Sequence, residues 1–108
     1  MLTDAMLLRI YVAESARIKE KPAYKYLVEY FKDKGFPGCT VFRGMVGYGH
    51  DYKIRTVDVL QLSLDLPVVI DIVGQKEKIL AIVPEVEEMV EHGLVTVQDV
   101  QIAKRAGN

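Results

Sequence analysis

Between Met6 and Ala13 apolar and polar positions alternate, with Leu8, Ile10 and Val12 set against Arg9 and Tyr11. A period of two belongs to a strand with one buried face, so this run is the first predicted strand. The polar stretch Glu14 to Lys21 leads to Pro22, whose fixed φ and missing N–H suit the first turn of a helix. Tyr24, Leu27, Val28 and Phe31 then fall at i, i+3, i+4 and i+7 in one apolar stripe, opposite Lys25, Glu29 and Lys32, and Gly35 supplies the stop. After the Pro37-Gly38 turn, Cys39 to Val46 reads as a second strand and Val57 to Leu62 as a third. Val68 to Val73 is a continuous apolar run fit for a central strand, with Asp71 its only polar side chain. Ile79, Ile82, Val83, Val86 and Val90 repeat at helical spacing between Lys76 and His92, with Glu85, Glu87, Glu88 and Glu91 mostly on the solvent side. Pro84 lies inside this helix and removes the bond to the Leu80 carbonyl, which predicts a kink or a restart there. Gly93 marks the helix end, Thr96 to Asp99 resembles a capped turn, and Val100 to Lys104 closes the chain as a short strand.

With Val57 to Leu62 as an additional strand before the central one, the order is β, α, β, β, α, β, with no repeat and no long linker, and it predicts one α+β domain over residues 1–108. It is a ferredoxin-like sandwich with two helices on one face of an antiparallel sheet. The other face is uncovered, and oligomerisation is the simplest way to bury it. Composition agrees: 50% hydrophobic and 27% charged residues describe a packed globular chain and exclude a low-complexity or disordered one. Fourteen Lys and Arg against fifteen Asp and Glu give a net charge of −1, so nothing favours nucleic acid or an anionic membrane as a partner. Cys39, the one cysteine, excludes an internal disulfide. Without a signal-peptide pattern or an 18-residue apolar run, no membrane insertion is expected and a cytoplasmic location is.

One segment looks unsuited to a core. From Arg43 to Arg55 the chain carries three glycines, two tyrosines, three basic residues and His50. Glycines 44, 47 and 49 let backbone N–H groups approach an anion, or serve as bulge and turn positions; the spacing is neither a P-loop nor a dinucleotide fingerprint. His50 beside Asp51 is a metal-ligand type of pair, but zinc generally needs three or four protein ligands and no spacing joins His92 or Cys39 to it, so no metal site is assigned. Asp71 is a candidate perturbed carboxylate, or a residue that caps, pairs or faces an interface. No Ser-His-Asp, Cys-His or paired-carboxylate set can be assembled, which argues against an enzyme. Arg43 to Tyr48 has the basic-Gly-aromatic flavour of an RNA-recognition strand, yet Met45 and Val46 stand where stacking aromatics belong.

Three groups of residues in order make the chain similar to the PII superfamily of signalling proteins, closest to the small uncharacterised PII-like family within it. They are Gly35 to Val41, Arg43 to Gly49, and Leu64 to Val73, followed by Glu88-Met89 and Gly93 to Thr96. The resemblance implies a homotrimer with its sheets facing inward and an adenine nucleotide (ADP, AMP or ATP) in the clefts between subunits. It assigns the adenine to Thr40 and to Asp71, Ile72 and Val73, brings Gly47, Gly49 and His50 to the phosphates, and counts Tyr48 and Gly93 among the nucleotide-binding residues. Residues 44–55 become the ligand-responsive surface for an unidentified protein partner. Two departures qualify this: the loop is far shorter than in the nitrogen regulators, and the turn from Glu91 to Thr96 lacks the lysine that meets a triphosphate, which moves the expectation from ATP toward ADP or AMP. The alternative is a trimeric divalent-cation- or anion-binding module of the cation-tolerance type.

Overall fold

The computed structural model describes residues 1–57 and 65–105. In chain order these form β1 (Thr3–Ala13), β2 (Arg17–Ile18), β3 (Lys21–Pro22), α1 (Ala23–Asp33), β4 (Cys39–Arg43), β5 (Val46–Gly47), β6 (Arg55–Thr56), β7 (Pro67–Gly74), α2 (Lys76–Met89) and β8 (Leu94–Ile102). Four of the strands make one antiparallel sheet in the order β4-β7-β1-β8, so the two long apolar strands are central and the two more polar ones are edges. With α1 and α2 as the crossovers, this is the α+β, ferredoxin-like arrangement expected from the sequence.

The alternation in β1 and β7 sorts side chains onto two faces. Leu8, Ile10, Ile70 and Ile72 turn toward the helices and are at most 1% exposed, where they meet Leu27 and Phe31 of α1 and Ile79 and Val86 of α2. Burying side chains of this size contributes about 1.5–3 kcal/mol each relative to leaving them in water. The end of α1 is fixed by backbone chemistry. Gly35 sits at φ +87°, its N–H donates to the Lys32 carbonyl, and the N–H of Phe36 reaches back to the Phe31 carbonyl. This pair of bonds is a Schellman cap, and its usual apolar clasp is present as an edge-on contact of Phe36 with Phe31 at 6.2 Å.

The structure departs from the sequence reading in four places. The polar stretch before α1 contains the small hairpin β2–β3, turned by Lys19 and Glu20 at φ 48° and 69°. Without glycine there, the left-handed turn gives no compositional signal. The run from Cys39 to Val46 is two strands. The chain leaves the sheet at Gly44, whose N–H donates to the Pro67 carbonyl at 2.7 Å, and Val46–Gly47 pairs instead with Arg55–Thr56 in a separate ribbon. The predicted third strand, Val57 to Leu62, lies almost wholly outside the described residues. The closing strand begins at Leu94 rather than Val100 and pairs with β1 over nine residues, so Thr96 to Asp99 is strand and not turn. Finally, α2 runs unbroken through Pro84 and stops at Met89. Pro84 lies on the solvent side of α2, away from the buried stripe of Ile79, Ile82 and Val86, so its ring and the missing bond fall where water can serve the freed carbonyl.

Candidate functional site

The nine residues singled out from the sequence fall into two groups. The first, Thr40, Asp71, Ile72 and Val73, lies on β4 and β7, and all but Ile72 belong to the open face of the sheet. The registers Thr40↔Asp71, Asp71↔Arg9 and Arg9↔Thr96 line up one row over four strands. Asp71 is answered by Arg9, whose Nε and Nη2 each donate to one carboxylate oxygen at 2.7 Å. This two-pronged, charge-assisted contact, helped by Tyr11, raises the Arg9 guanidinium above its already high ordinary pKa. The polar residue inside the apolar strand is therefore half of an ion pair. The flanking row, Phe42, Val69, Tyr11 and Leu94, is apolar, and Phe42 and Leu94 are 53% and 57% exposed. Ile72 points the other way, into the core, and its position in the sheet has partners on both sides, Cys39 and Leu8. Val73 faces outward and has a partner, Leu7, on one side only, because β4 ends opposite Ile72.

The second group lines a cleft of about 700 Å³ at the end of β1. Its walls are Tyr11 to Ala13, the β2 hairpin, the ribbon with its loop, and the turn between α2 and β8. Gly47, Tyr48, Gly49, His50 and Gly93 all line it; Thr40, Asp71, Ile72 and Val73 do not. Four residues at about 3.3 Å each separate the Pro67 end of β7, which borders the cleft, from Asp71. Gly93 is held tightly: a Cβ there would stand 2.4 Å from Val90 Cγ1 and 2.5 Å from the Tyr11 carbonyl, so the turn reaches β1 only because it has none.

The loop between β5 and β6 is folded on itself. The Tyr52 N–H donates to the Gly49 carbonyl at 2.9 Å, Tyr52 takes φ 57°, and its ring stacks on Tyr48 at 6.0 Å with both rings largely exposed. His50 crosses the cleft mouth to stack on His92, with ring centroids 4.6 Å apart and planes 16° from parallel. Sequence spacing had no way to join these two. Arg55 stands at the ribbon's base. Its Nη2 donates to Asp51 Oδ2 at 3.0 Å, its Nη1 to the Lys53 carbonyl at 3.1 Å, and its Nε lies 3.9 Å from Asp65. Asp65 in turn accepts both the N–H and the hydroxyl of Ser15 at 2.8 Å. The Lys53 N–H and then the Arg55 guanidinium hold the Asp51 carboxyl below the usual carboxylate range, with His50 adding to the pull.

Arg17, Lys53 and Arg55 give the cleft cationic donors beside glycine backbone and the two stacked imidazoles, a combination suited to an anion that also carries a flat ring. Among the described residues no three His, Cys, Asp or Glu side chains gather as a metal site. The sequence reading missed Arg55, Asp65 and His92. The four-residue spacing of Asp51 and Arg55 was a usable local signal for the first; Asp65 is tied to Ser15 across 50 residues, which no local pattern shows.

Comparison with known proteins gives the family and the fold. Residues 5–102 match the DUF190 family, described as "Uncharacterized ACR, COG1993". A UPF0166 protein of Aquifex aeolicus is 42% identical over 96 residues, covering 89% of this chain and 90% of that one. A UPF0166 protein of Methanocaldococcus jannaschii is 33% identical over 104 residues, 95% of each. Among solved structures, a putative PII-like signaling protein from Thermus thermophilus superposes with a TM-score of 0.68 at 21% identity, over 94% of this chain and 91% of that one. CPII, a nitrogen regulatory PII-like protein from Thiomonas intermedia bound to ADP, AMP and bicarbonate, gives 0.67 at 18% identity, over 96% and 92%. The chain belongs to the DUF190 family, and its fold is that of the PII-like signalling proteins.

Proposed function

We propose that the chain is a PII-like regulator, not an enzyme, which assembles as a homotrimer and binds an adenine nucleotide, ADP or AMP, at each subunit boundary. The observation that carries this reading is the cleft: five of the nine residues expected at a nucleotide converge there, with cationic side chains the motif did not name. The ADP- and AMP-bound state of CPII, a protein of the same fold, supports the choice of ligand. The open sheet face supports the assembly, because Tyr11, Phe42 and Leu94 gain cover only from another surface. A boundary along that face brings Thr40 and Val73 of one subunit toward a neighbour's cleft, which unites the two groups. Nucleotide bound beside Gly47 and Gly49 then biases the 44–55 ribbon and its exposed Tyr48–Tyr52 pair, the surface offered to a protein partner.

Calorimetric titration with ADP, AMP and ATP tests this, together with the mass in solution by light scattering. Saturable binding of ADP or AMP at one site per subunit of a trimer is expected, lost in Gly47→Val, which crowds a branched side chain against Pro67 at the cleft wall, where a Cβ would stand 3.1 Å from the Pro67 Cγ. A monomer, or no heat with any nucleotide, would sink the reading. One observation favours a second reading, a cation-binding module: the His50–His92 contact brings two imidazoles together, although they are fewer ligands than zinc sites use. Heat with zinc or copper and none with nucleotide would select it.

A further inference from the structure

The guanidinium of Arg55 lines the cleft at the base of the ribbon, and it is engaged on three sides. Asp51 takes Nη2, the Lys53 carbonyl takes Nη1, and Asp65 stands beyond Nε. The two carboxylates differ in how firmly they are held elsewhere. Asp65 gives both oxygens to Ser15 at 2.8 Å and lies 3.9 Å from Arg55, so it is anchored to the turn after β1. Asp51 uses Oδ1 to accept the Lys53 N–H and presents Oδ2 to Arg55 at 3.0 Å, from a loop that is otherwise exposed. A carboxylate oxygen on a guanidinium fork occupies the position that a phosphate oxygen would take.

We infer that Asp51 is a tethered competitor for the phosphate group of the ligand, seated on Arg55, and that exchange of one anion for the other is what moves the ribbon. This deepens the nucleotide reading and rests on its anion-binding half. When a phosphate takes the Arg55 fork, the Asp51 carboxylate leaves with the turn that carries it. Tyr52 follows Asp51 directly and is held at φ 57°, a region that tyrosine disfavours, so freeing the turn releases a backbone that has somewhere easier to go. The Tyr48–Tyr52 stack sits on that same turn. Binding at the base of the ribbon thereby changes the aromatic surface at its tip, through one ion pair.

The test compares wild type, Asp51→Asn and Arg55→Gln by calorimetric titration with two probes, ADP and inorganic pyrophosphate. Asparagine keeps the oxygen that accepts the Lys53 N–H, so the turn survives the change. Removing the competitor is expected to tighten binding of both probes about fivefold, the worth of a partly exposed ion pair, while Arg55→Gln weakens both by at least as much. A merely structural Asp51 would give the opposite sign. If Asp51→Asn binds both probes no better than wild type, the inference is overturned while wild-type ADP binding keeps the nucleotide reading. If pyrophosphate follows the expected order and ADP binds to none of the three, the competitor stands and the adenine reading falls. If neither probe binds any of the three, both fall.

Discussion

The two faces of the central sheet are built from the same strands and have met different fates. On one face Leu8, Ile10, Ile70 and Ile72 find cover within the chain and lose all contact with water. On the other, the residues between them, Leu7, Arg9, Tyr11, Val69, Asp71 and Val73, remain half-buried or exposed. That second face is too apolar for a surface and too charged for a core. It carries one ion pair, with each partner satisfied by the other, in a field of aromatic and aliphatic side chains. A helix-covered face needs only volume and hydrophobicity. A face closed by another molecule, as proposed for this one, also needs a register, and we propose that the single paired charge amid apolar neighbours supplies it.

The sharpest test of the contrast is truncation on each side. Phe31→Ala, in the covered core, is expected to cost about 3–5 kcal/mol in urea unfolding. Phe42→Ala, a similar truncation on the open face, is expected to change monomer stability by less than about 0.5 kcal/mol and to shift the mass in solution downward. A core-sized loss for Phe42 in a monomer would erase the distinction between the faces. Next in size is Gly93→Ala, which forces the turn off β1 because its Cβ would stand 2.5 Å from the Tyr11 carbonyl; a loss of about 1–3 kcal/mol is expected by thermal unfolding. If the open face is the proposed subunit boundary, Asp71→Ala leaves Arg9 unanswered there, so sedimentation should show dissociation at protein concentrations where wild type is assembled, and Arg9→Met/Asp71→Leu should restore assembly. Failure of the double variant to recover would mean that the pair contributes affinity and not register.

The smallest effect concerns Cys39, on the covered face at the edge of the sheet. Burial, with the Asp71 charge adding to it, pushes its thiol up from the ordinary range. Less thiolate is present at any given pH, so alkylation by iodoacetamide at pH 8 should run slower in the folded protein than in urea. Equal rates would show that the β4 edge opens freely.

What could be read from the sequence follows from which neighbours each residue answers to. β1 and β7 were legible because their sides differ in kind: one packs on helices, and the alternation or the continuous run records it. β8 was legible only at its end, since an edge strand with Thr96, Gln98, Asp99 and Gln101 exposed carries little apolar period and is made by backbone pairing with β1. The same division runs through the site. The glycines of the ribbon and the oddity of Asp71 stood out locally. Their partners did not stand out: Arg9 lies 62 residues from Asp71, and His92 comes to His50 only through the fold.

Pro84 has a consequence for the cleft that its burial pattern alone does not convey. A helix lacking one rung of its ladder opens as two cooperative segments rather than one, and the C-terminal segment of α2 is the shorter. That segment leads directly into the turn bearing His92 and Gly93, whereas the facing wall, Tyr11 to Ala13, belongs to a central strand bonded on both sides. If the two segments open separately, the cleft has one fixed jaw and one hinged, and amide exchange is expected to find two protection levels across a single helix.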